Sequence, residues 1–176
     1  QTYFEEGACH VSFADPYCPR LRTALLGGLE GAPDAGAVHL DAGARAESVN
    51  SAEPSDAAPV DGGTMVVIDG PRFSTRAESQ WYARQGWDLV NMTGHPEAVL
   101  ARELELCYAS VALVTDLDAG ISSETSVSQA EVLRVFAKYI DMLKSRLHRV
   151  VSTLGRERDC QCPEALAGMK LPVELP

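Results

Sequence analysis

A chain of 176 residues with 45% hydrophobic and 23% charged side chains can bury one real core, and this is the composition of an ordinary soluble globular domain. With 25 acidic against 15 basic side chains the net charge is −10, which repels phosphate backbones and anionic lipid and argues against nucleic acid or a membrane surface as partner. No apolar run is long enough to cross a bilayer and no cationic start leads into a signal-peptide core, so the cytoplasm is the simplest address.

The chain opens at Gln1 on Thr2-Tyr3-Phe4-Glu5-Glu6-Gly7, with no starting element before it, and reads as a fragment. Cys9 to Pro19 reads as a short strand and a loop, followed by a short helix over Leu21 to Leu29 that ends near Gly27-Gly28. Residues 31 to 63 are rich in Ala, Gly, Asp, Ser and Pro with no sustained period; such a stretch cannot offset its ordering entropy, and a mobile insertion without chemistry is expected.

The most regular part follows. Met65-Val66-Val67-Ile68 reads as a strand that ends in Asp69-Gly70-Pro71-Arg72-Phe73-Ser74, and Arg76 to Gln85 as a helix closed by Gly86. Asp88 to Asn91 is a second strand ending in Met92-Thr93, and Pro96 suits the first turn of a helix over Glu97 to Leu106. Tyr108 to Val114 is a third, almost purely apolar strand that ends in Thr115-Asp116-Leu117-Asp118. Continuously apolar strands alternating with helices predict an α/β fold, three layers in αβα order around a largely parallel or mixed sheet covered on both faces. Ligands of such sheets bind beyond the carboxyl ends of the strands, so one crevice is expected to collect Phe73, Ser74, Met92, Thr93, Asp116 and Asp118. Two carboxylates two residues apart at a strand end also suit Mg²⁺ or a helix cap.

Ala119 to Thr125 is a polar loop placed to gate that crevice. Ser128-x-x-Glu131 forms a capping box, in which the serine accepts from the backbone N–H of the fourth residue and the glutamate reaches back. The helix beyond it presents Val132, Val135, Phe136, Tyr139, Ile140, Leu143, Leu147 and Val150 at helical spacing, a stripe expected in the core, and Gly155 ends it. An irregular tail over 156 to 176 holds Cys160-Gln161-Cys162. Cysteines at 9, 18, 107, 160 and 162 are odd in number and do not make a disulfide framework; Cys107 reads as a small core residue. A C-x-C supplies two ligands at most and needs partners for zinc, so no metal site is expected.

Four motifs carry a resemblance. His10-Val11-Ser12-Phe13-Ala14-Asp15-Pro16-Tyr17-Cys18-Pro19, then Gly70 to Ser79, then Asn91-Met92-Thr93-x-x-Pro96-Glu97, then Ala109-Ser110-Val111-Ala112 running into Thr115-Asp116-x-Asp118, resemble in the same order the C-terminal half of the 5'-methylthioadenosine phosphorylases, within the trimeric purine nucleoside phosphorylase family. The resemblance implies a phosphorylase/hydrolase-like sheet, a homotrimer, a place in purine and methionine salvage, phosphate as co-substrate and no cofactor. It also implies a preceding portion that carries most of the phosphate site. Without that portion the alternative of an inactive remnant stands beside the enzyme. In some archaeal members of the family a C-terminal cysteine pair like this one is linked to disulfides.

The resemblance also assigns roles. Phe73 would stack on the purine and Met92 would pack under the ribose, while Thr93 would give its hydroxyl and backbone N–H to phosphate. Asp116 would contact purine N7 as general acid, and Asp118 would accept from the 6-amino group or support Asp116. His10 would reach a neighbouring subunit's pocket. Ser74 and Asp116 stand where 6-oxopurine enzymes carry a glutamate and an asparagine; a carboxylate facing O6 would repel it, so a 6-aminopurine nucleoside is expected, with a 6-oxopurine, methylthioinosine or broad-specificity phosphorylase as the alternative. Gln129 and Val132 border the pocket, and Gln129 occupies a position where a small apolar residue is expected. A nucleotide sensor would need a Gly-rich loop after a strand, whereas Gly62-Gly63 precedes one.

Overall fold

The computed structural model describes residues 2–4, 9–30, 59–119 and 127–169. The expected insertion lies outside them over 31–58, as do the gate loop from 120 and the end of the tail from 170. In chain order the elements are α1 (Pro19–Glu30), β1 (Met65–Val67), α2 (Arg76–Arg84), β2 (Leu89–Asn91), α3 (Gly94–Glu103), α4 (Gln129–Thr153) and a 3₁₀ turn (Cys162–Glu164). No helix among the described residues is long and apolar enough to cross a membrane.

The α/β expectation holds, with a smaller sheet than the apolar runs suggested. β1 and β2 pair in parallel, Met65 opposite Leu89 and Val67 opposite Asn91, and Ile68 N–H extends the ladder to the Asn91 carbonyl at 2.9 Å. Both strands are half-buried rather than covered on both faces. Tyr108 to Val114 forms no ladder among the described residues, contrary to the expected third strand: its side chains alternate between half-buried and exposed from Ser110 on, but a strand is completed only by a hydrogen-bonded neighbour. The segment is pinned at one end, where Cys18 N–H donates to the Tyr108 carbonyl at 2.7 Å and Tyr17 stacks on Tyr108 with ring centroids 6.1 Å apart. Residues 9–18 likewise form an irregular segment and no strand.

Local signals placed the helices well. Thr75 caps α2, its hydroxyl accepting from Glu78 N–H while the Glu78 carboxylate takes the Thr75 N–H, and Gly86 ends that turn at φ +72°. α3 is kinked at His95, whose φ −116° and ψ 128° are not helical, so its regular turns run from Pro96, as expected, and stop at Glu103, short of Leu106. Its buried Glu103 carboxylate accepts from Thr2 Oγ1 at 2.7 Å and Tyr3 N–H at 2.8 Å, which fastens the start of the chain to this helix. At α4 only half of the predicted capping box forms: Ser128 accepts from Glu131 N–H at 3.2 Å, but the Glu131 carboxylate turns to Arg134 at 2.6 Å, where a charged partner outcompetes a backbone N–H.

The apolar stripe of α4 is only partly core. Val150 is buried against α1, whose Gly28 lies so close that a methyl group there would sit 2.2 Å from Val150 Cγ2. Towards the start of α4 the stripe is half-buried, and Phe136 is 43% exposed. α1 packs on α4 near its C-terminal end, where Gly28 meets Val150. The tail folds back over the end of α3: Arg158 donates to the Glu105 carbonyl at 2.9 Å and Leu166 N–H to the Glu105 carboxylate at 3.1 Å.

Candidate active site

Because β1 and β2 run in parallel, both open at the same edge, and the loops leaving them carry the expected ligand-binding residues. The Met92 thioether lies across Gly70, where a Cβ would meet its sulfur at 3.1 Å, so the two loops touch. Phe73 is 39% exposed at the tip of the first loop. Next to it Ser74 is 7% exposed, and its Oγ is buried with no hydrogen-bond partner among the described residues. A buried hydroxyl left unpaired costs free energy unless something meets it, and this one sits beside the aromatic ring assigned to the base.

The second loop is shaped by a residue the sequence reading missed. Asn91 Oδ1 accepts from Thr93 N–H at 2.7 Å and Gly94 N–H at 2.6 Å, turning the chain from β2 into α3. The Thr93 amide expected for phosphate is therefore engaged; its hydroxyl, 3.5 Å from the same oxygen, is exposed and open to another acceptor. The available signal was the residue type, since an Asn side chain at a strand end commonly accepts from the amides two and three residues on.

The third group stands on a turn. Asp118 N–H donates to Asp116 Oδ1 at 2.9 Å and Thr115 Oγ1 to Asp116 Oδ2 at 2.8 Å. Asp118 adopts φ +60°, a left-handed conformation that Asp tolerates, and its carboxylate accepts from Ser79 Oγ at 2.6 Å. Ser79 lies in the first turns of α2, five residues after Ser74, so this bond draws the turn towards the first loop. Asp118 thus supports Asp116 through its backbone. Among the described residues these two carboxylates belong to no cluster of three or more candidate metal ligands.

His10 and Gln129 are exposed, in the loop before α1 and at the first residue of α4, and Val132 is half-buried one turn further on. Among the described residues, no side-chain hydrogen bond or ion pair ties these three to the strand edge. A cleft of about 510 Å³ lies between Phe13–Tyr17, the β1 strand and the start of α3, lined by Tyr17, Met65, Gly94 and His95 among others.

A parallel strand edge whose two loops carry an aromatic ring, a thioether and two hydroxyls, with a carboxylate turn bonded to α2, is the setting in which α/β proteins commonly bind small molecules. Comparison with known proteins narrows it. The Phosphorylase superfamily model matches residues 1–152. Over 175 residues the chain is 49% identical to S-methyl-5'-thioadenosine phosphorylase of Mycobacterium tuberculosis, covering 99% of this chain and 56% of that protein. It is 51% identical over 169 residues to purine nucleoside phosphorylase of Streptomyces coelicolor, covering 95% and 52%. Methylthioadenosine phosphorylase of Schistosoma mansoni in complex with adenine superposes with a TM-score of 0.70 at 32% identity, over 89% of this chain and 54% of that one. The chain belongs to the phosphorylase superfamily, and it spans about half the length of the curated relatives it matches.

Proposed function

We propose that the protein to which this chain belongs catalyses phosphorolysis of S-methyl-5'-thioadenosine to adenine and 5-methylthioribose 1-phosphate. The observation that carries this reading is the 49% identity, over 99% of this chain, to a phosphorylase of that substrate; the Met92–Gly70 contact between the two strand-end loops and the Asp116–Asp118 turn bonded to Ser79 of α2 support it.

In the reaction a phosphate oxygen bonds to C1' as the carbon–nitrogen bond breaks, and the electron pair leaves on the purine, which is protonated at N7. Phe73 stacks on the departing base. Met92 packs under the ribose as positive charge develops there, and the Thr93 hydroxyl holds phosphate below the sugar. Asp116 meets N7 as general acid, and its turn is held still by Ser79 through Asp118. The unpaired Ser74 hydroxyl meets the edge of the base and replaces hydration lost on binding. The enzyme assembles as a cytoplasmic homotrimer in which His10 reaches a neighbouring pocket, with Gln129 and Val132 near the 5' substituent.

The resemblance to a purine nucleoside phosphorylase at 51% identity keeps the 6-oxopurine reading as the alternative. The test is base release by the full-length protein with and without phosphate. Phosphate-dependent adenine release from methylthioadenosine is expected; faster hypoxanthine release from inosine or methylthioinosine would establish the alternative, and no phosphate-dependent release of any purine would overturn both.

A further inference from the structure

Four of the five cysteines, remote from one another in sequence, meet where the tail folds back. Cys18 precedes α1, Cys107 follows α3, and Cys160 and Cys162 flank Gln161 in the tail; their four Sγ atoms all lie within 4.8 Å of one another, with Cys107 and Cys160 Sγ 3.4 Å apart. A tetrahedral Zn²⁺ with Zn–S bonds of about 2.3 Å has sulfurs about 3.8 Å apart, so this cluster matches that geometry after sub-ångström adjustments of side chains. The donor set is complete, with four sulfurs and no position left for water. It is also enclosed: Cys18 is 1% and Cys162 4% exposed, and the other two are half-buried.

The backbone around the sulfurs is already built. Cys18 N–H donates to the carbonyl of Tyr108, the neighbour of Cys107; the Cys18 carbonyl accepts from Arg22 N–H at 3.0 Å; and Cys162 opens the 3₁₀ turn, its carbonyl accepting from Ala165 N–H at 3.3 Å. Glu105 holds the tail from the other side through Arg158 and Leu166. Two partners for the C-x-C, which the sequence reading did not find, come from segments that only the fold brings near.

We propose that Cys18, Cys107, Cys160 and Cys162 bind one structural Zn²⁺ that ties the start of α1, the end of α3 and the tail together. All four bind as thiolates, releasing their protons to solvent as the ion enters. None of the four is a residue of the strand-edge site, so the ion takes no part in base or phosphate binding. A four-iron cube would require sulfurs spread around a larger core than this one.

The test is metal content of the full-length protein purified without added metal. One zinc per chain is expected, with these four thiols resistant to alkylation until a chelator removes the ion. Cys160→Ser and Cys162→Ser should each reduce zinc from one per chain to near none, while Cys9→Ser, outside the cluster, should keep it. Metal content and thiol mapping of the wild type decide the matter even where a serine variant does not fold. Two disulfides among these cysteines, less than a tenth of a zinc per chain, or full zinc retention by Cys160→Ser would overturn the site; one iron per chain in its place would overturn the choice of metal.

Discussion

Ser79 Oγ donates a 2.6 Å hydrogen bond to the Asp118 carboxylate, and Asp118 N–H in turn holds Asp116 Oδ1 at 2.9 Å. A helix side chain thereby positions a carboxylate that it does not touch. Ser79 is 2% exposed and Asp118 is in a left-handed conformation, so the turn depends on this link. A hydrogen bond to a charged group contributes roughly 1.5–3 kcal/mol. Ser79→Ala should lower thermal stability by an amount in that range and, under the proposed function, reduce kcat/KM for methylthioadenosine about tenfold, with Ser79→Thr retaining more of both. Equal activity of Ser79→Ala and wild type in the phosphorolysis assay would show that Asp118 is held by other means.

Asp116→Asn keeps the side-chain shape but removes the proton donor. Loss of general acid–base assistance costs about 10²–10⁴ in rate. The expected outcome is a fall of that order in kcat for adenine release, together with a rise in the ratio of hypoxanthine to adenine released, because a carboxamide N–H can donate to O6 where a carboxylate repels it. A variant with unchanged kcat and base preference would remove Asp116 from the mechanism.

Asn91→Ala leaves the Thr93 and Gly94 amides without the oxygen that now accepts them at 2.7 and 2.6 Å. Thr93 would lose its fixed orientation. A tenfold rise in KM for phosphate is expected, roughly the 1.4 kcal/mol of one good hydrogen bond, with KM for the nucleoside little changed. Asn91→Asp retains the acceptor and should fall between the two.

The loop before α2 is sensitive to acid. Arg72 donates two hydrogen bonds of 2.8 Å to Glu78, and the Thr75 N–H and hydroxyl add two more, holding the Glu78 carboxyl down from 4.5 to about 2. A group whose folded value is depressed contributes stability that is full above its unfolded value and lost as pH falls through the folded one. Melting temperature should therefore decline between about pH 4.5 and pH 2, and Glu78→Gln should flatten that decline while leaving the profile near neutrality parallel to wild type. Parallel profiles across the acid range would show that Glu78 is not coupled to folding.

Gly28→Ala drives a methyl into Val150 Cγ2, 2.2 Å away, at the contact of α1 with α4. Overpacking costs typically 1–3 kcal/mol, more than the roughly 1 kcal/mol that alanine adds to a helix interior. Denaturant unfolding should show net destabilisation, and Val150→Ala combined with it should cost less than the sum of the single changes, since the second change vacates the space.

The sequence by itself determined what depends on neighbours a few residues apart, together with the family resemblance. Gly86 at φ +72° ends α2, Ser128 caps α4 and Pro96 falls in the first turn of α3, because caps and turns are set by contacts between residue i and residues up to i+4. The polar ends of β1 and β2 were legible for the same reason: apolar runs break where a strand ends. Tertiary structure alone decided the rest. Tyr108 to Val114 has the composition of a strand but no paired neighbour among the described residues, and Phe136 has the spacing of a core residue but is 43% exposed, whereas Val150, against Gly28 of α1, is buried. Ser79 met Asp118, and Cys18 and Cys107 met Cys160 and Cys162, through contacts spanning many tens of residues. No local pattern encodes such meetings: they follow from how whole elements pack, and short-range spacing carries no record of that.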